Sequence, residues 1–387
     1  MRVLIDYRPA LRQRSGVGEY THQLARALVA AFAPANGAGP LELTLFSSSW
    51  KHRFVPDREL AGVAAIDRRV PVSVLNFAWH RLGWPPAETI AGAAFDVAHS
   101  SHPLLMPARD AAQVITIHDL DFLSHPERTR AEVRRDYPAL VRAHAGRADA
   151  IIVSSAFAAG EVETRLGVER ARIAICPAGA PAWPPRTASP RDGYVLFFGT
   201  LEPRKNVGGL LDAYERLMAH RPGSGSTRRP GLPDLVIAGR ATEAAAPWLD
   251  RIGRPPLAGR VRYAGYVDPS RRRDLYVGAR MLVQPSFEEG FGMTVLEAMS
   301  LGVPVIAARR GSLSEVVGDA GPLVDPESPE DIAAAIDRLA TDDAFADECG
   351  ARGRARAAAF TWTETAQRVY DAYQHAMERR ANRSGSA

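Results

Sequence analysis

The sequence predicts an α/β protein with two doubly wound domains, each built on a parallel sheet. Its 387 residues are enough for two separate hydrophobic cores. Short apolar runs alternate with segments of helical spacing, which is the pattern of parallel strands and their crossover helices. A proline-rich stretch at 177–190, near the midpoint of the chain, has the composition of a linker.

Two series of short apolar runs define the two domains. The first series comprises RVLID (2–6), LELTLF (41–46), FDVAHS (95–100), QVITIH (113–118) and DAIIVSS (149–155). The second series comprises YVLFFGT (194–200), DLVIAG (234–239), VRYAGYV (261–267), MLVQPS (281–286) and PVIAA (304–308). We therefore predict domains at 1–187 and 188–361, with a final amphipathic helix at 362–380 that packs back on the first domain.

The composition argues against several classes of protein. No run of 18 apolar residues is present, and the N-terminus lacks the pattern of a signal peptide, so we expect a cytoplasmic protein. Cys176 and Cys349 are the only cysteines and are predicted to be structural thiols. The pI of about 9.2 would suit nucleic acid, but no zinc spacing, helix-turn-helix or stacking-aromatic motif accompanies it. We expect no nucleic-acid partner.

The net charge of +4 is concentrated in the first half of the chain, most densely at 127–147. Arg128, Arg135 and Arg142 recur every seven residues there and would share one face of a helix. Two interpretations remain open. The face is either solvated, or it makes weak, peripheral contact with an anionic membrane without crossing it.

Residues 199–210, GTLEPRKNVGGL, lie between a predicted strand and a predicted helix. The chain has only two lysines, and one of them, Lys205, stands here beside Arg204. Neighbouring cations just beyond the carboxyl end of a parallel strand suit an anionic ligand such as a diphosphate. A solvated turn is the alternative interpretation.

A second motif, EEGFGMTVLEAMSLGVPVIAA (288–308), combines glycines, two acids and a helix start. Gly290 and Gly292 flank Phe291 and allow a ligand to approach the backbone closely. Glu289 precedes the glycines, and Glu297 follows within the helix. A carboxylate accepts hydrogen bonds from both hydroxyls of a vicinal diol, which sugars and riboses supply. Tight packing of a turn is the alternative explanation for the glycines.

These two motifs resemble those of glycosyltransferase family 4, the retaining GT-B enzymes that use nucleotide sugars. The resemblance covers about 191–340 most strongly and extends to RSGVGEYTHQLARAL and TIHDL in the first half. It implies two Rossmann-like domains that face a central cleft. It also implies a nucleotide diphosphate sugar as the donor and a saccharide or lipid-linked saccharide as the acceptor. The stretch DYRPALRQRSGVGEY is most similar to bacterial mannosyltransferases of surface polysaccharide synthesis, which implies GDP-mannose.

The resemblance also assigns roles to individual residues. The donor-binding residues that it implies are Gly16, Gly18, Arg204, Lys205, Glu289, Gly290, Phe291, Gly292, Thr294 and Glu297. The catalytic residues that it implies are His118, Arg204, Lys205 and Glu289. Arg204 and Lys205 would neutralise the diphosphate, Glu297 would hold the ribose, and Glu289 would hold the transferred sugar. Gly16 and Gly18 would approach the diphosphate or the acceptor, and His118 would contact the sugar.

Several aspartate and histidine residues have to be considered as possible metal ligands. Asp119 and Asp121 form the D-x-D spacing that binds metal in the other large glycosyltransferase fold, but here we expect no metal and no other cofactor. His99, His102 and His125 lack a convincing ligand spacing and are expected to be structural or at the edge of the cleft. Two alternative functions stay open: a nucleotide-sugar epimerase of the same fold, and a non-catalytic protein that binds nucleotide sugar or nucleic acid.

Overall fold

The computed structural model describes residues 1–11, 14, 16–32, 39–55, 58–126, 136–219 and 232–385. The chain divides into two units. The first comprises Met1–Gly179 together with Thr361–Ala387, and the second comprises Ala180–Phe360. Each unit holds one parallel sheet with helices, as the alternating pattern predicts.

The first unit contains a sheet of seven parallel strands in the order β3-β2-β1-β4-β5-β6-β7. The strands are β1 (Arg2–Asp6), β2 (Glu42–Ser48), β3 (Ala64–Arg68), β4 (Val97–Ser100), β5 (Ala112–Thr116), β6 (Ala150–Val153) and β7 (Ile173–Ile175). The helices before the second unit are α1 (Val17–Phe32), α2 (Val72–Phe77), α3 (Ala87–Ala91), α4 (Asp121–Ser124), α5 (Tyr137–Arg147) and α6 (Ala156–Leu166). The strands β4, β5 and β6 are buried along their whole length, and β6 is apolar at every position without alternation.

The second unit contains six parallel strands in the order β10-β9-β8-β11-β12-β13. The strands are β8 (Tyr194–Phe198), β9 (Leu235–Ala238), β10 (Val261–Gly265), β11 (Ala279–Gln284), β12 (Val305–Ala308) and β13 (Leu323–Val324). The helices are α7 (Val207–Ala219), α8 (Ala246–Ile252), α9 (Pro269–Val277), α10 (Met293–Ser300), α11 (Ser312–Val317), α12 (Pro329–Thr341) and α13 (Asp343–Ala357).

Each sheet has one point at which the strand order reverses direction. In the first unit this point lies between β1 and β4, and in the second it lies between β8 and β11. Loops that leave the carboxyl ends of two such strands diverge to opposite faces of the sheet and leave a crevice between them, where ligands of doubly wound folds bind. The segment with Lys205 follows β8, and the segment with Glu289 follows β11. Both predicted motifs therefore flank the switch point of their own sheet.

The boundary between the units differs from the predicted one. The second unit begins at Ala180, not at 188, because the proline-rich stretch packs on the second unit. The buried guanidinium of Arg186 donates to the carbonyl oxygens of Ala279 at 2.7 Å and Gly302 at 2.9 Å. Charged groups are buried only with such partners, so Arg186 anchors the stretch.

The last helix, α14 (Trp362–Gly385), belongs to the first unit. Its Tyr373 is buried and its hydroxyl lies 2.7 Å from Nδ1 of His99 in β4. Tyr370 stacks on Phe32 of α1 with ring centroids 4.4 Å apart. Arg383 pairs with the buried carboxylate of Asp149 at 3.1 Å. The first unit is thus assembled from two separate parts of the chain.

The basic segment 127–147 lies partly outside the described residues, which begin again at 136. Of the three arginines predicted to share a face, only Arg142 is described, and it is exposed on α5. Val141 and Ala145 of the same helix are buried in the core. Among the described residues, no helix combines the length and the apolarity that crossing a bilayer requires.

Candidate functional site

The turn after β8 carries the predicted cation pair and is held in place by Asn206. Pro203–Lys205 form one short turn of 3-10 helix, and Asn206 follows with φ of +56°. Asparagine tolerates this left-handed conformation better than most residues. Its side-chain amide donates to the carbonyl oxygens of Pro285 at 3.1 Å and Pro326 at 2.7 Å. Asn206 therefore ties the turn to the segment after β11.

The two cations both contact Glu289. The Nζ atom of Lys205 forms an ion pair with Oε1 of Glu289. One guanidinium nitrogen of Arg204 lies 3.4 Å from Oε2 of Glu289, and another lies 2.9 Å from Glu202. The structure thus brings three of the predicted site residues together, although the sequence analysis assigned the cations to a diphosphate and the carboxylate to a sugar.

Glu289 is buried and held by further donors. Its Oε1 accepts from the hydroxyl of Ser286 at 2.9 Å and from the amide of Gln284 at 3.2 Å. Burial alone would raise the pKa of Glu289, but Lys205 and Arg204 outweigh burial and hold the pKa below its usual range. Burial also lowers the pKa of Lys205, and Glu289 offsets part of that effect. The pair is an ionised contact in a largely desolvated position.

The glycine-containing loop after Glu289 leads directly into α10. Gly292 is the N-cap of this helix with φ of +100°, and a Cβ atom there would lie 2.6 Å from Leu313. Both tight packing and backbone conformation therefore require glycine at this position. Phe291 is buried and packs edge-on against Phe360. Thr294 lies in the first turn of α10, where its hydroxyl is 3.5 Å from Gln284.

Glu297 is fixed by two donors from α9. Its Oε1 accepts from Arg272 at 2.9 Å and its Oε2 accepts from Tyr276 at 2.7 Å. All three side chains are buried. Burial, followed by the proximity of Glu297, raises the pKa of Tyr276 well above its usual value, so the phenol stays protonated and donates.

The sequence analysis did not identify Arg272 and Tyr276 as site residues. The visible signal was the run Arg271–Arg273, but a run of arginines does not reveal which member turns inward. Arg272 does so because it lies on the same face of α9 as Tyr276, four residues later.

In the first unit, Gly16 lies in the loop before α1, and Gly18 is the second residue of α1. Gly16 adopts φ of +52°, and a Cβ atom at this position would meet no other atom within 4 Å. A Cβ atom at Gly18 would lie 2.6 Å from the carbonyl oxygen of Pro9. Close packing of the first turn of α1 against the backbone of Pro9 therefore explains the glycine at position 18.

His118 lies two residues beyond the end of β5 and is partly exposed. Its Nε2 is 3.2 Å from the carbonyl oxygen of Ser101, and its ring packs edge-on against Tyr20. Burial lowers the pKa of His118, with Asp119 offsetting part of the effect, so the ring is neutral near pH 7. Because a carbonyl oxygen only accepts, Nε2 carries the proton and Nδ1 is left as an acceptor.

A charged cluster at the end of β1 was not predicted as a unit. Asp6 is fully buried and accepts two hydrogen bonds from the guanidinium of Arg8, at 2.8 and 2.6 Å, and one from its backbone N–H at 3.1 Å. His102 lies 3.3 Å from the same carboxylate. Burial would raise the pKa of Asp6, but Arg8 and His102 outweigh burial and hold the pKa far below its usual range. The cluster flanks the β1–β4 switch point of its sheet.

His99 and Asp119, which the sequence analysis considered as possible metal ligands, make structural contacts. Both ring nitrogens of His99 are engaged, one with Tyr373 and the other with Thr116 at 2.8 Å. Asp119 accepts from the backbone N–H of Asp121 at 3.3 Å, a contact that shapes the turn into α4. Both cysteines are buried thiols, as predicted.

Models of known protein families match both halves of the chain. The model described as Glycosyltransferase Family 4 matches residues 14–182, and the model described as Glycosyl transferases group 1 matches 192–342. O-antigen chain mannosyltransferase B of Escherichia coli is 30% identical and is matched over 96% of this chain and 99% of its own length. D-inositol 3-phosphate glycosyltransferase of a Nocardioides species is 32% identical over 49% of this chain and 43% of its own.

Solved structures share the architecture. Sucrose-phosphate synthase from Thermosynechococcus elongatus has a TM-score of 0.73 at 22% identity and covers 96% of this chain and 98% of its own. WaaG, a glycosyltransferase involved in lipopolysaccharide biosynthesis, has a TM-score of 0.69 at 16% identity, and the match covers 96% of this chain and 99% of WaaG. These similarities confirm the predicted GT-B fold class, with two parallel α/β units.

Proposed function

The chain belongs to glycosyltransferase family 4, and on that premise we propose that it is a retaining hexosyltransferase that uses GDP-mannose. The acceptor that we propose is a hydroxyl of a saccharide or of a lipid-linked saccharide. Mannose is supported by the mannosyltransferase that aligns with nearly the whole chain. Other relatives act, by their names, as D-inositol 3-phosphate glycosyltransferases, so the donor is the part of this proposal that most needs testing.

The observation that carries the proposal is the arrangement of charge around Glu289. Lys205, Arg204 and Glu289 meet at the switch point of the second sheet, where doubly wound folds bind ligands. A buried ion pair is weak evidence for stability alone, because desolvation of both charges offsets their attraction. Such a pair at a switch point is better explained by a ligand that uses the same charges.

We assign the donor diphosphate to the two cations. An ammonium has three N–H donors, and Lys205 directs one of them to Glu289, which leaves two for phosphate oxygens. Arg204 contacts Glu202, Glu288 and Glu289 and adds a second positive charge beside Lys205. Glu289 thereby orients the cations, and its carboxylate can also accept a hydrogen bond from a hydroxyl of the transferred sugar.

Glu297 is the proposed ribose anchor. Arg272 and Tyr276 hold its carboxylate in one orientation, with one oxygen on each donor. Two vicinal hydroxyls match two such oxygens. In the first unit, the neutral ring of His118 offers Nδ1 as an acceptor for a sugar hydroxyl. Roles for Gly16, Gly290 and Thr294 in donor binding remain part of the same proposal.

The proposed reaction retains the configuration at the sugar by front-face substitution. The bond between the anomeric carbon and the diphosphate breaks, and the acceptor oxygen bonds to the same face of that carbon. The departing diphosphate takes the proton of the acceptor hydroxyl. Negative charge grows on the diphosphate as the bond breaks, so Lys205 and Arg204 stabilise the transition state more than the bound donor.

A panel of nucleotide sugars tests the donor. A ligand present at 100 times its dissociation constant stabilises the folded chain by about 2.7 kcal/mol, which a thermal-shift assay detects. We expect GDP-mannose to give the largest shift, and radiolabelled mannose to appear on an acceptor with the anomeric configuration of the donor. A larger shift with UDP-glucose, or inverted product, would refute the donor or the stereochemistry respectively.

A further inference from the structure

The imidazole of His118 contacts one hydrogen-bond acceptor and one aromatic ring. The hydrogen bond runs from Nε2 to the carbonyl oxygen of Ser101 at 3.2 Å. The ring is that of Tyr20 in the first turn of α1, with centroids 5.0 Å apart and an interplanar angle of 81°. Aromatic pairs favour this edge-to-face geometry. Because the hydrogen bond restrains only one ring atom, the contact with Tyr20 supplies the restraint on the plane of the imidazole.

The ring of Tyr20 is supported in turn by the first residue of α14. The indole of Trp362 lies 5.7 Å from the ring of Tyr20, measured between centroids, with an interplanar angle of 58°. Tyr20 is only 2% exposed, and side chains in such closely packed surroundings keep one rotamer. Trp362, Tyr20 and His118 therefore form a connected set of rings within the first unit, which we call the aromatic triad.

The start of α14 is itself fixed in place. A Cβ atom at Gly179 would lie 2.2 Å from the backbone nitrogen and 2.6 Å from Cγ of Trp362, so this approach requires glycine. The hydroxyl of Thr365 donates to the carbonyl oxygen of Pro177 at 2.6 Å. The indole of Trp362 thus belongs to an anchored turn of helix and provides a rigid support for Tyr20.

The hydroxyl of Tyr20 does not account for this residue. It is buried, and it has no hydrogen-bond partner among the residues that the structure describes. A buried hydroxyl without a partner lowers the stability of a fold. The part of Tyr20 that makes specific contacts is therefore its ring, which packs against His118 and Trp362.

We propose that Tyr20, supported by Trp362, is a positioning residue that sets the orientation of the His118 ring for sugar transfer. The inference rests on the proposed function, in which Nδ1 of His118 accepts a hydrogen bond from a sugar hydroxyl. Groups that act on a substrate have to be held within about 0.5 Å and 10–20° of the productive geometry. Without the ring of Tyr20, the imidazole would be free to turn about its Cβ–Cγ bond. A half turn exchanges Nδ1 with Cδ2, a carbon that cannot accept a hydrogen bond.

A double-mutant cycle on the whole chain tests the proposal through the turnover number. We expect Tyr20→Leu to lower the turnover number with GDP-mannose about tenfold or more, since a small misplacement of a reacting group has effects of this size. Tyr20→Phe keeps the ring and should restore most of the turnover. In the His118→Ala background, Tyr20→Leu should have no further effect, because residues that act as a unit are not additive. Trp362→Leu should act in the same direction by a smaller factor.

Nuclear magnetic resonance of the chain with isotope-labelled histidine tests the orientation without any ligand. The ring nitrogens of His118 should show one tautomer with the proton on Nε2, and their signals are identified by their loss in His118→Ala. We expect Tyr20→Leu to shift or broaden these signals and Tyr20→Phe to leave them in place. Thermal unfolding of each variant reports whether it is folded.

The matched control is Phe32→Leu, which also removes a ring between α1 and α14. Phe32 stacks on Tyr370 and lies twelve residues after Tyr20, about 18 Å along the helix axis. This variant should lower stability and leave the turnover number and the signals of His118 unchanged.

Three results would overturn the proposal. Tyr20→Leu lowers the turnover number no more than Phe32→Leu does, it lowers the turnover number equally with and without His118, or it leaves the signals of His118 unchanged. Full turnover in His118→Ala would instead contradict the role of His118 in the proposed function. The resonance spectrum would then still decide whether Tyr20 holds the imidazole.

Discussion

Replacing Lys205 with methionine removes one charge while nearly keeping the volume of the side chain. In the structure this leaves Glu289 buried with Arg204 at 3.4 Å and the two neutral donors Gln284 and Ser286. Breaking a buried ion pair costs about 3–5 kcal/mol. We expect about 3 kcal/mol, the lower end, because the remaining partners stay in place. At about 2–4 °C per kcal/mol, the unfolding temperature of the second unit should fall by about 6–12 °C.

The same substitution should lower the turnover number about 100-fold or more, the usual effect of removing one preorganised charge that stabilises a leaving group. Calorimetric unfolding and an assay of mannose transfer measure the two effects separately. A second variant, Lys205→Met/Glu289→Gln, no longer buries an uncompensated carboxylate and should recover most of the lost stability. Its turnover should stay low, because the charge facing the diphosphate is still missing.

Lys51→Met is the matched control, since it removes the other lysine of the chain from an exposed position. It should leave both stability and turnover with a water-soluble acceptor unchanged. If Lys205→Met unfolds at the original temperature, the contact with Glu289 contributes nothing to stability. If the double variant regains turnover as well, Lys205 only positions Glu289, and the assignment of the diphosphate to Lys205 is wrong.

Three further predictions concern ribose binding, metal dependence and pH. Glu297→Ala should weaken binding of GDP about tenfold because it removes hydrogen bonds to a charged acceptor. Glu289→Ala should leave the affinity for GDP unchanged and weaken binding of GDP-mannose. Calorimetry with each ligand distinguishes the two variants, and an equal loss of affinity for GDP in both would contradict the assignment. Activity should persist in EDTA because cations of the chain neutralise the diphosphate, and loss that manganese or magnesium restores would instead implicate Asp119 and Asp121 as metal ligands. Burial lowers the pKa of His99 from 6.5 to about 3, so the stability that this neutral histidine confers is complete above pH 6.5 and is lost as the pH falls toward 3. His99 contributes about 1.4 kcal/mol per pH unit to the slope, and His80 and His144, whose pKa values burial lowers to about 3 and about 4, add to it. Urea unfolding at stepped pH should show at least this slope, and His99→Gln should reduce it, with an unchanged slope as the contrary result.

The central strands could be predicted from the sequence because their burial leaves a simple pattern. All ten predicted runs overlap a strand of the structure, with ends that differ by at most a few residues. Strands such as β6, Ala150–Val153, are covered on both faces, and every position is apolar. Continuous apolar runs of four to seven residues are easy to recognise without further information.

The strands that the sequence analysis missed are β3, β7 and β13, and each lies at an edge of its sheet. An edge strand has a partner on one side only and is covered less completely. In β3 no residue is buried, and its sequence AAIDR combines small, apolar and charged residues. Such a segment forms a strand because the neighbouring strand offers backbone hydrogen-bonding groups. This cause lies in the tertiary structure and produces no clear pattern in the sequence of the segment itself.

The site was predictable where its residues lie close together in sequence. Lys205 and the acids at 289 and 297 belong to two short motifs, and parallel topology brings strand ends to one edge. The partners that fix these acids lie elsewhere in the chain, as Arg272 does for Glu297. The pairing of Asp6 with Arg8 and His102 likewise depends on which strands are neighbours. A single sequence records residue types, whereas such pairings follow only from the fold.

The position of α14 has a consequence for the order in which the chain folds during synthesis. The second unit is continuous from Ala180 to Phe360, so it can fold as soon as it leaves the ribosome. The first unit begins earlier but lacks Tyr373 and Arg383 until these residues have been translated. Until then the imidazole of His99 and the carboxylate of Asp149 have no partner on α14. Chains arrested after Phe360 should therefore resist protease in the second unit and be cleaved in the first.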